Sequence, residues 1–259
     1  MAADIRRDGM RSQGLWDAPL GRLTLDVVAS MVSATGRSAL DVVDVGGGTG
    51  GLAVPLATLG HNVTVVDPSP DALAAAQRRA AEVSVSLSVV QGEAASVAEM
   101  VGQATADLVI CHNVLEYVDS PADAMAGIAG VLRPAGVVSV LAANTVAAVL
   151  HHALAGRFEQ ALRLLPGSVT GQLDGVAGQA TGPGLPRRFT LPDLTALVEG
   201  AGLSPGEARG LRIFGGLIPN ALADGDAAAA TGLLALERAA AGYPPLRDIA
   251  AQLHLLGHR

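Results

Sequence analysis

The spacing of apolar positions changes several times along the chain, and each change marks an element. Leu20, Leu23, Val27, Val28, Met31 and Val32 recur at helical spacing, which predicts a helix over residues 19–33 with Pro19 in its first turn. Residues 39–45 are a short apolar run into glycines, a buried strand. A helix over 51–59 closes at Gly60, and a strand over 61–66 ends at Asp67. Residues 68–71 read Pro-Ser-Pro-Asp and open a helix carrying Leu73 and Ala76 to Glu82. A third strand over 85–90 leads through Gly92 and Glu93 into a short helix, and a fourth strand covers 107–112. Ser120 and Pro121 open a helix to Leu132; after the turn at 133–136 comes a fifth strand, 137–142.

Strand and helix thus alternate five times with short connections, which implies a parallel sheet covered on both faces. After Asn144 the rhythm breaks. Residues 145–165 read as one apolar helix, and 166–184, rich in Gly, Pro and Thr, read as a mobile lid. A helix from Leu191 to about residue 200, a sixth strand over 207–214, a helix over 227–241 and a last strand over 249–257 complete the chain. The expected fold is α/β, a Rossmann-like, doubly wound and mostly parallel seven-stranded sheet with a helix-and-loop insertion after strand five. Residues 1–18 are expected to be a flexible segment.

Composition narrows the function. Of 259 residues half are hydrophobic, enough for a sizeable core, but aromatics are only 2%. Net charge is −7, and all 17 basic residues are arginine, so broad non-specific nucleic-acid binding is not expected. The single cysteine, Cys111, rules out an internal disulfide framework and, by strand alternation, belongs to the core. The polar first 14 residues lack the apolar centre of a signal peptide, and the longest apolar run, 137–150, is broken by Asn144. A soluble, cytoplasmic protein is the expectation, with no metal site.

The chemistry gathers at the first strand's end. Gly46, Gly48 and Gly51 spell G-x-G-x-x-G, the dinucleotide pattern. Gly46, Gly48 and Gly50, with Asp44 ahead, spell D-x-G-x-G-x-G, the pattern of S-adenosylmethionine sites. Asp67, at the end of strand two, suits the ribose hydroxyls of either cofactor. Asp44 is placed to accept from a methionine amino group or a bound water, and Glu93, beside Gly92, from an adenine amino group. Glycines, Asp67, Glu93 and His112 all fall at carboxyl ends of strands, where such sheets bind ligands.

Residues 131–137, Val-Leu-Arg-Pro-Ala-Gly-Val, resemble the turn before strand five in class I S-adenosylmethionine-dependent methyltransferases. Within that group the chain is most similar to the bacterial tRNA 5-carboxymethoxyuridine methyltransferase family. The similarity rests on residues 112–118 (His-Asn-Val-Leu-Glu-Tyr-Val), on 144–158 with His151 and Ala-Gly-Arg-Phe at its end, on 211–214 and on 243–247. It covers residue 19 to the end and implies one methyltransferase domain over 19–259. It also implies cofactor contacts at Arg22, Gly46, Gly47, Asp67, Ala94, Ala95 and His112, with Arg22 gripping the methionine carboxylate. His112 is then the candidate catalytic residue of the methyl-transfer cleft. Unlike the family it resembles, the chain has no basic residue in 166–184.

A carboxylate acceptor is ionised at neutral pH and needs orientation rather than a base, for which Arg157, Arg188 and Arg212 are the candidates. A hydroxyl or amine acceptor would need a base, His112 or His151. The partner is accordingly a tRNA or a small carboxylate-bearing substrate. Alternatives are a small-molecule O- or N-methyltransferase, an NAD-binding oxidoreductase, and a catalytically silent S-adenosylmethionine-binding protein.

Overall fold

In a computed structural model the described residues are 38–165, 186–218 and 227–259, with Thr24, 26–29 and Val32 ahead of them. The expected flexible segment 1–18, Arg22 and the expected lid 166–184 lie outside these residues. What is described of the first expected helix is helical, and Val28 and Val32 are buried among Leu40, Val42, Leu56 and Val65.

The elements in order are β1 (Asp41–Val45), α1 (Ala53–Thr58), β2 (Asn62–Asp67), α2 (Pro70–Glu82), β3 (Ser88–Gln91), a 3-10 turn (Ala94–Ser96), α3 (Val97–Val101), β4 (Ala106–His112), α4 (Pro121–Val131) and β5 (Leu132–Ala143). Then come α5 (Thr145–Leu154), α6 (Phe158–Arg163), α7 (Leu191–Gly200), β6 (Ser204–Leu211), α8 (Ala227–Ala240), α9 (Pro244–Arg247) and β7 (Gln252–His258). The sheet order is β3-β2-β1-β4-β5-β7-β6. The first five strands pair in parallel, and β7 inserts antiparallel between β5 and β6. Order reverses between β1 and β4, so the crevice opens over their carboxyl ends.

Alternation along the strands sorts side chains into two layers. Val43, Val45, Val109, Cys111, Val138 and Val140 pack under α4 and α7, whereas Val42, Leu108 and Ile110 pack with Leu52, Leu56 and Leu73. Helix starts follow the sequence signals: Ser69 accepts from Ala72 N, Ser120 from Asp123 N, and Thr190 and Asp193 form a capping box. At the sheet's opposite edge, Arg133 bonds Asp41 at 2.8 Å and Asp107 at 3.0 Å. The arginine of the turn before strand five therefore ties β1 to β4 and stands far from the crevice.

Some boundaries differ from the sequence reading. The single helix expected over 145–165 is two, because Gly156 takes φ +71° and Arg157 begins the second. Strand β6 starts earlier and stops at Leu211, where Arg212 turns to φ +59°. Ile213, Phe214 and Gly215 then donate their backbone N–H groups to the Glu237 carboxylate at 2.7, 2.9 and 2.8 Å instead of to a strand.

Candidate active site

The glycine turn resolves the two fingerprints. Gly46, Gly48 and Gly50 take φ +68°, +54° and +78°, and Gly51 is not among the positive-φ glycines. The register that includes Asp44 is thus the one the backbone needs. Gly46 is also sterically fixed, since a Cβ there would lie 2.3 Å from Val114 Cγ2. Its N–H donates to Val66 O at 2.7 Å, and Gly48 N–H donates to Asp67 Oδ2 at 2.9 Å. Asp67 Oδ1 accepts from Ser69 N at 2.9 Å. Asp67 therefore locks the turn while each oxygen keeps a lone pair for a ligand hydroxyl. Asp44 is buried beneath Gly47; burial first, then the Asp67 charge, pushes its carboxyl up to about 7.

Above the turn lies a cleft of about 500 Å³. Gly46, Asp67, Glu93, Ala94 and Ala95 line one side, and Asn113, Val114, Tyr117 and Val118 the other. Gly127 of α4 allows the floor to close, because a Cβ there would meet Ala94 O at 2.7 Å and Ala95 O at 2.6 Å. Asp67, Glu93, Asp119 and Asp123 give the cleft four carboxylates and no basic side chain among its described lining. Such a field suits a ligand with an ammonium, a sulfonium, ribose hydroxyls and an adenine amine, and it repels a dinucleotide's pyrophosphate. The chain residues fit S-adenosylmethionine and disfavour NAD.

His112 is the last residue of β4, as the sequence implies. It lines neither this cleft nor the pocket described next. Its Nε2 lies 2.8 Å from Ser139 Oγ, which lies 2.8 Å from His254 Nε2, joining β4, β5 and β7 beneath the crevice. The hydroxyl has one proton to give and two lone pairs to accept with, so at least one of the two rings donates from Nε2. Burial lowers both imidazoles, His112 strongly and His254 to about 4, and keeps them neutral.

A second pocket, about 180 Å³, lies past the end of β5 between α5, the turn after β6 and the start of β7. His151, His152 and Arg188 line it, with Ala148, Ile213 and Ala251. Arg157 donates to His151 Nε2 at 3.0 Å and so backs the same cluster. Burial, then Arg157, His151 and Arg188, lower the His152 pKa. Arg212 is not among the lining residues; it opens the Ile213 turn with its Nε buried and unpartnered. Glu116, 4% exposed, accepts from Ala143 N at 2.7 Å through Oε1. Burial raises its pKa. The sequence reading assigned no role to His152, Glu116, Arg187 or Glu237. Glu116 lay inside a quoted motif, but the partners of Arg187 and Glu237 are distant in the chain and leave no local pattern.

No helix among the described residues is long and apolar enough to cross a membrane, and no group of three or more His, Cys, Asp or Glu is placed among them to hold a metal. Residues 43–140 match the family of the methyltransferase domain. The chain is 32% identical over 131 residues, half of each protein, to tRNA 5-carboxymethoxyuridine methyltransferase of Escherichia coli (strain K12). It is 34% identical over 160 residues to a ubiquinone biosynthesis O-methyltransferase of Xanthomonas campestris pv. campestris (strain B100), covering 58% of this chain and 64% of the relative. The chain thus spans about half to two-thirds of the length of these curated relatives. In fold it is similar to magnesium protoporphyrin IX methyltransferase from Synechocystis PCC 6803 with bound SAH, at a TM-score of 0.57 and 17% identity over 93% of this chain and 83% of that one. The sheet order, the glycine register and the acidic cleft agree with the domain match: residues 43–140 carry a methyltransferase domain in a Rossmann-like fold, with S-adenosylmethionine as its cofactor.

Proposed function

We propose that this enzyme methylates a carboxylate, with the 5-carboxymethoxyuridine of tRNA the best-fitting acceptor. The observation that carries the reading is the second pocket, where Arg188, His151 and His152 face one cavity, Arg157 stands behind, and no carboxylate is among the described lining residues. An acidic cleft for a cationic donor beside a basic pocket for an anionic acceptor is a complementary pair. Similarity to the E. coli tRNA methyltransferase supports the choice.

When bound, S-adenosylmethionine supplies a methyl group already activated on a sulfonium, with a neutral thioether as leaving group. The chain's task is alignment. On this reading Asp67 accepts from ribose hydroxyls, Glu93 from the adenine amine, and Ala94 and Ala95 floor the adenine. Asp44 balances the ammonium through the Gly47–Gly50 turn. Arg188 would hold and orient the acceptor carboxylate, whose oxygen is the nucleophile that receives the activated methyl group. The carboxylate is already ionised, so no proton moves and no general base is needed.

A second reading, a small-molecule O-methyltransferase, is favoured by the net charge of −7 and by the similarity to the ubiquinone-pathway enzyme. There His152, kept neutral by its lowered pKa, would take the hydroxyl proton. The test is incubation with labelled S-adenosylmethionine and tRNA bearing unmethylated 5-carboxymethoxyuridine, followed by nucleoside mass spectrometry. A labelled methyl ester is the expected product. Unlabelled tRNA, alongside labelling of a catechol acceptor under the same conditions, would replace the first reading with the second.

A further inference from the structure

The cofactor cleft has one wall made of a loop, residues 113–120 after β4. Asn113 enters it at φ +56°, Tyr117 N donates back to Val114 O at 2.9 Å, and Tyr117 is 70% exposed at the rim. The start of this wall is tied to β5 and β7, by Asn113 N–H to Leu141 O at 2.8 Å and by Gln252 Nε2 to Asn113 Oδ1 at 2.6 Å, and its later residues take support from elsewhere in the chain.

That support is Arg187. Its backbone N–H donates to Glu116 O at 3.0 Å, and its guanidinium donates through Nη1 to Val118 O and through Nη2 to Asp119 O at 2.9 Å. Three donors of one residue thus hold Glu116, Val118 and Asp119, the last two lining the cleft. Among the described residues no carboxylate pairs with the Arg187 side chain. Its fork is committed to two successive carbonyls, a geometry that an ammonium cannot reproduce.

The clamp has its own foundation. Two residues on, Phe189 is fully buried; its N–H donates to Ala143 O at 2.9 Å and its carbonyl accepts from Thr145 N at 3.0 Å. Arg188, between them, lines the basic pocket. Three consecutive residues therefore serve the cofactor wall, the second pocket and the end of β5 in turn.

We propose that Arg187 is a positioning residue for cofactor binding: it holds residues 116–119 in place as the outer wall of the S-adenosylmethionine cleft without touching the cofactor. The inference rests on the cofactor occupying that cleft, which Asp67→Ala tests separately, and it is independent of the acceptor's identity. Binding of S-adenosylhomocysteine is measured by titration calorimetry for the wild type, Arg187→Ala, Arg187→Gln, Arg187→Lys and Asp67→Ala, with a thermal melt of each free protein. Arg187→Ala and Arg187→Gln are expected to weaken binding roughly ten-fold, and Arg187→Lys less, because one ammonium can still reach one carbonyl. Free-protein melting of Arg187→Gln stays within a few degrees of the wild type, which a general structural role would not allow. Should the alanine variant not fold, Arg187→Gln, which keeps much of the stem, decides the matter. Wild-type affinity in Arg187→Gln, with binding lost in Asp67→Ala, overturns the clamp. Undiminished binding in Asp67→Ala overturns the cleft assignment and the clamp with it.

Discussion

Asp44 is 3% exposed, and Gly47 lies so close above it that a Cβ there would sit 2.6 Å from Oδ2. Its pKa of about 7, set mainly by burial, means that folding favours the protonated acid. The folded value is above the unfolded one, so this group's contribution to stability is complete below about pH 4 and is lost as pH rises through about 7. On the proposed role of Asp44, the cofactor's ammonium would favour the ionised form instead. Wild-type affinity for S-adenosylhomocysteine should therefore climb between about pH 6 and about pH 8, and Asp44→Asn should abolish the climb and bind about ten-fold more weakly at the upper end. The same variant should melt higher than the wild type at about pH 8, since a buried charge has gone. Calorimetric titrations and melts at the two pH values check both halves; unchanged affinity in the variant would remove Asp44 from the site. Asp44, Asp67 and the glycines were legible in the sequence because strand, turn and carboxylate lie within a few residues of one another. The strand-end position of His112 is equally legible, but the bond of its ring to Ser139, 27 residues away on the next strand, is not. That bond is set by register, which the sequence of one strand does not encode.

Glu237 operates between elements. It is 1% exposed on α8, and three consecutive N–H groups of residues 213–215 point at its carboxylate. These bonds end β6 and set the turn carrying Ile213 into the second pocket. Glu237→Gln keeps one oxygen but turns an NH2 group toward a donor, so it should cost about 1–3 kcal/mol in urea unfolding. Glu237→Ala should cost more, and a cost near zero for both would mean the turn holds itself. The same contact explains a boundary the sequence reading missed. Ile213 and Phe214 look like strand residues by composition, yet their N–H groups are committed to a helix 24 residues on. Edge strand β6, Ser-Pro-Gly-Glu-Ala-Arg-Gly-Leu, is exposed along its first half and so carries little apolar pattern. The parallel half of the sheet is readable because its central strands, β1 and β4, are buried on both faces and the elements around them are closed by glycine, proline and serine signals. The antiparallel place of β7 is not, since direction in a sheet leaves no period of its own.

On the scale of the whole molecule, the two pockets carry opposite charge. The parallel half ends in the acidic cleft, and the half built by β5, β7 and β6 carries Arg188, His151 and His152. Arg188 belongs to the second pocket and lies outside the cofactor cleft, so Arg188→Ala should separate the two ligands. The Michaelis constant for a carboxylate acceptor should rise by about ten- to one-hundred-fold, because a charge-assisted contact is lost from ground and transition state alike. The affinity for S-adenosylhomocysteine should stay within about two-fold, since the Arg187 clamp and the glycine turn are intact. If the acceptor is tRNA, the net charge of −7 on an arginine-only set of basic residues adds a further constraint. Few phosphates can be neutralised, so the slope of log affinity against log salt should be shallow, about −2 to −3 rather than the steep values of proteins with many backbone contacts. Removing Arg188 should then lower affinity by nearly the same factor at low and high salt, because its partner is the acceptor carboxylate. A slope that falls by about one in Arg188→Ala would instead assign this arginine to a phosphate and move the acceptor carboxylate to another group.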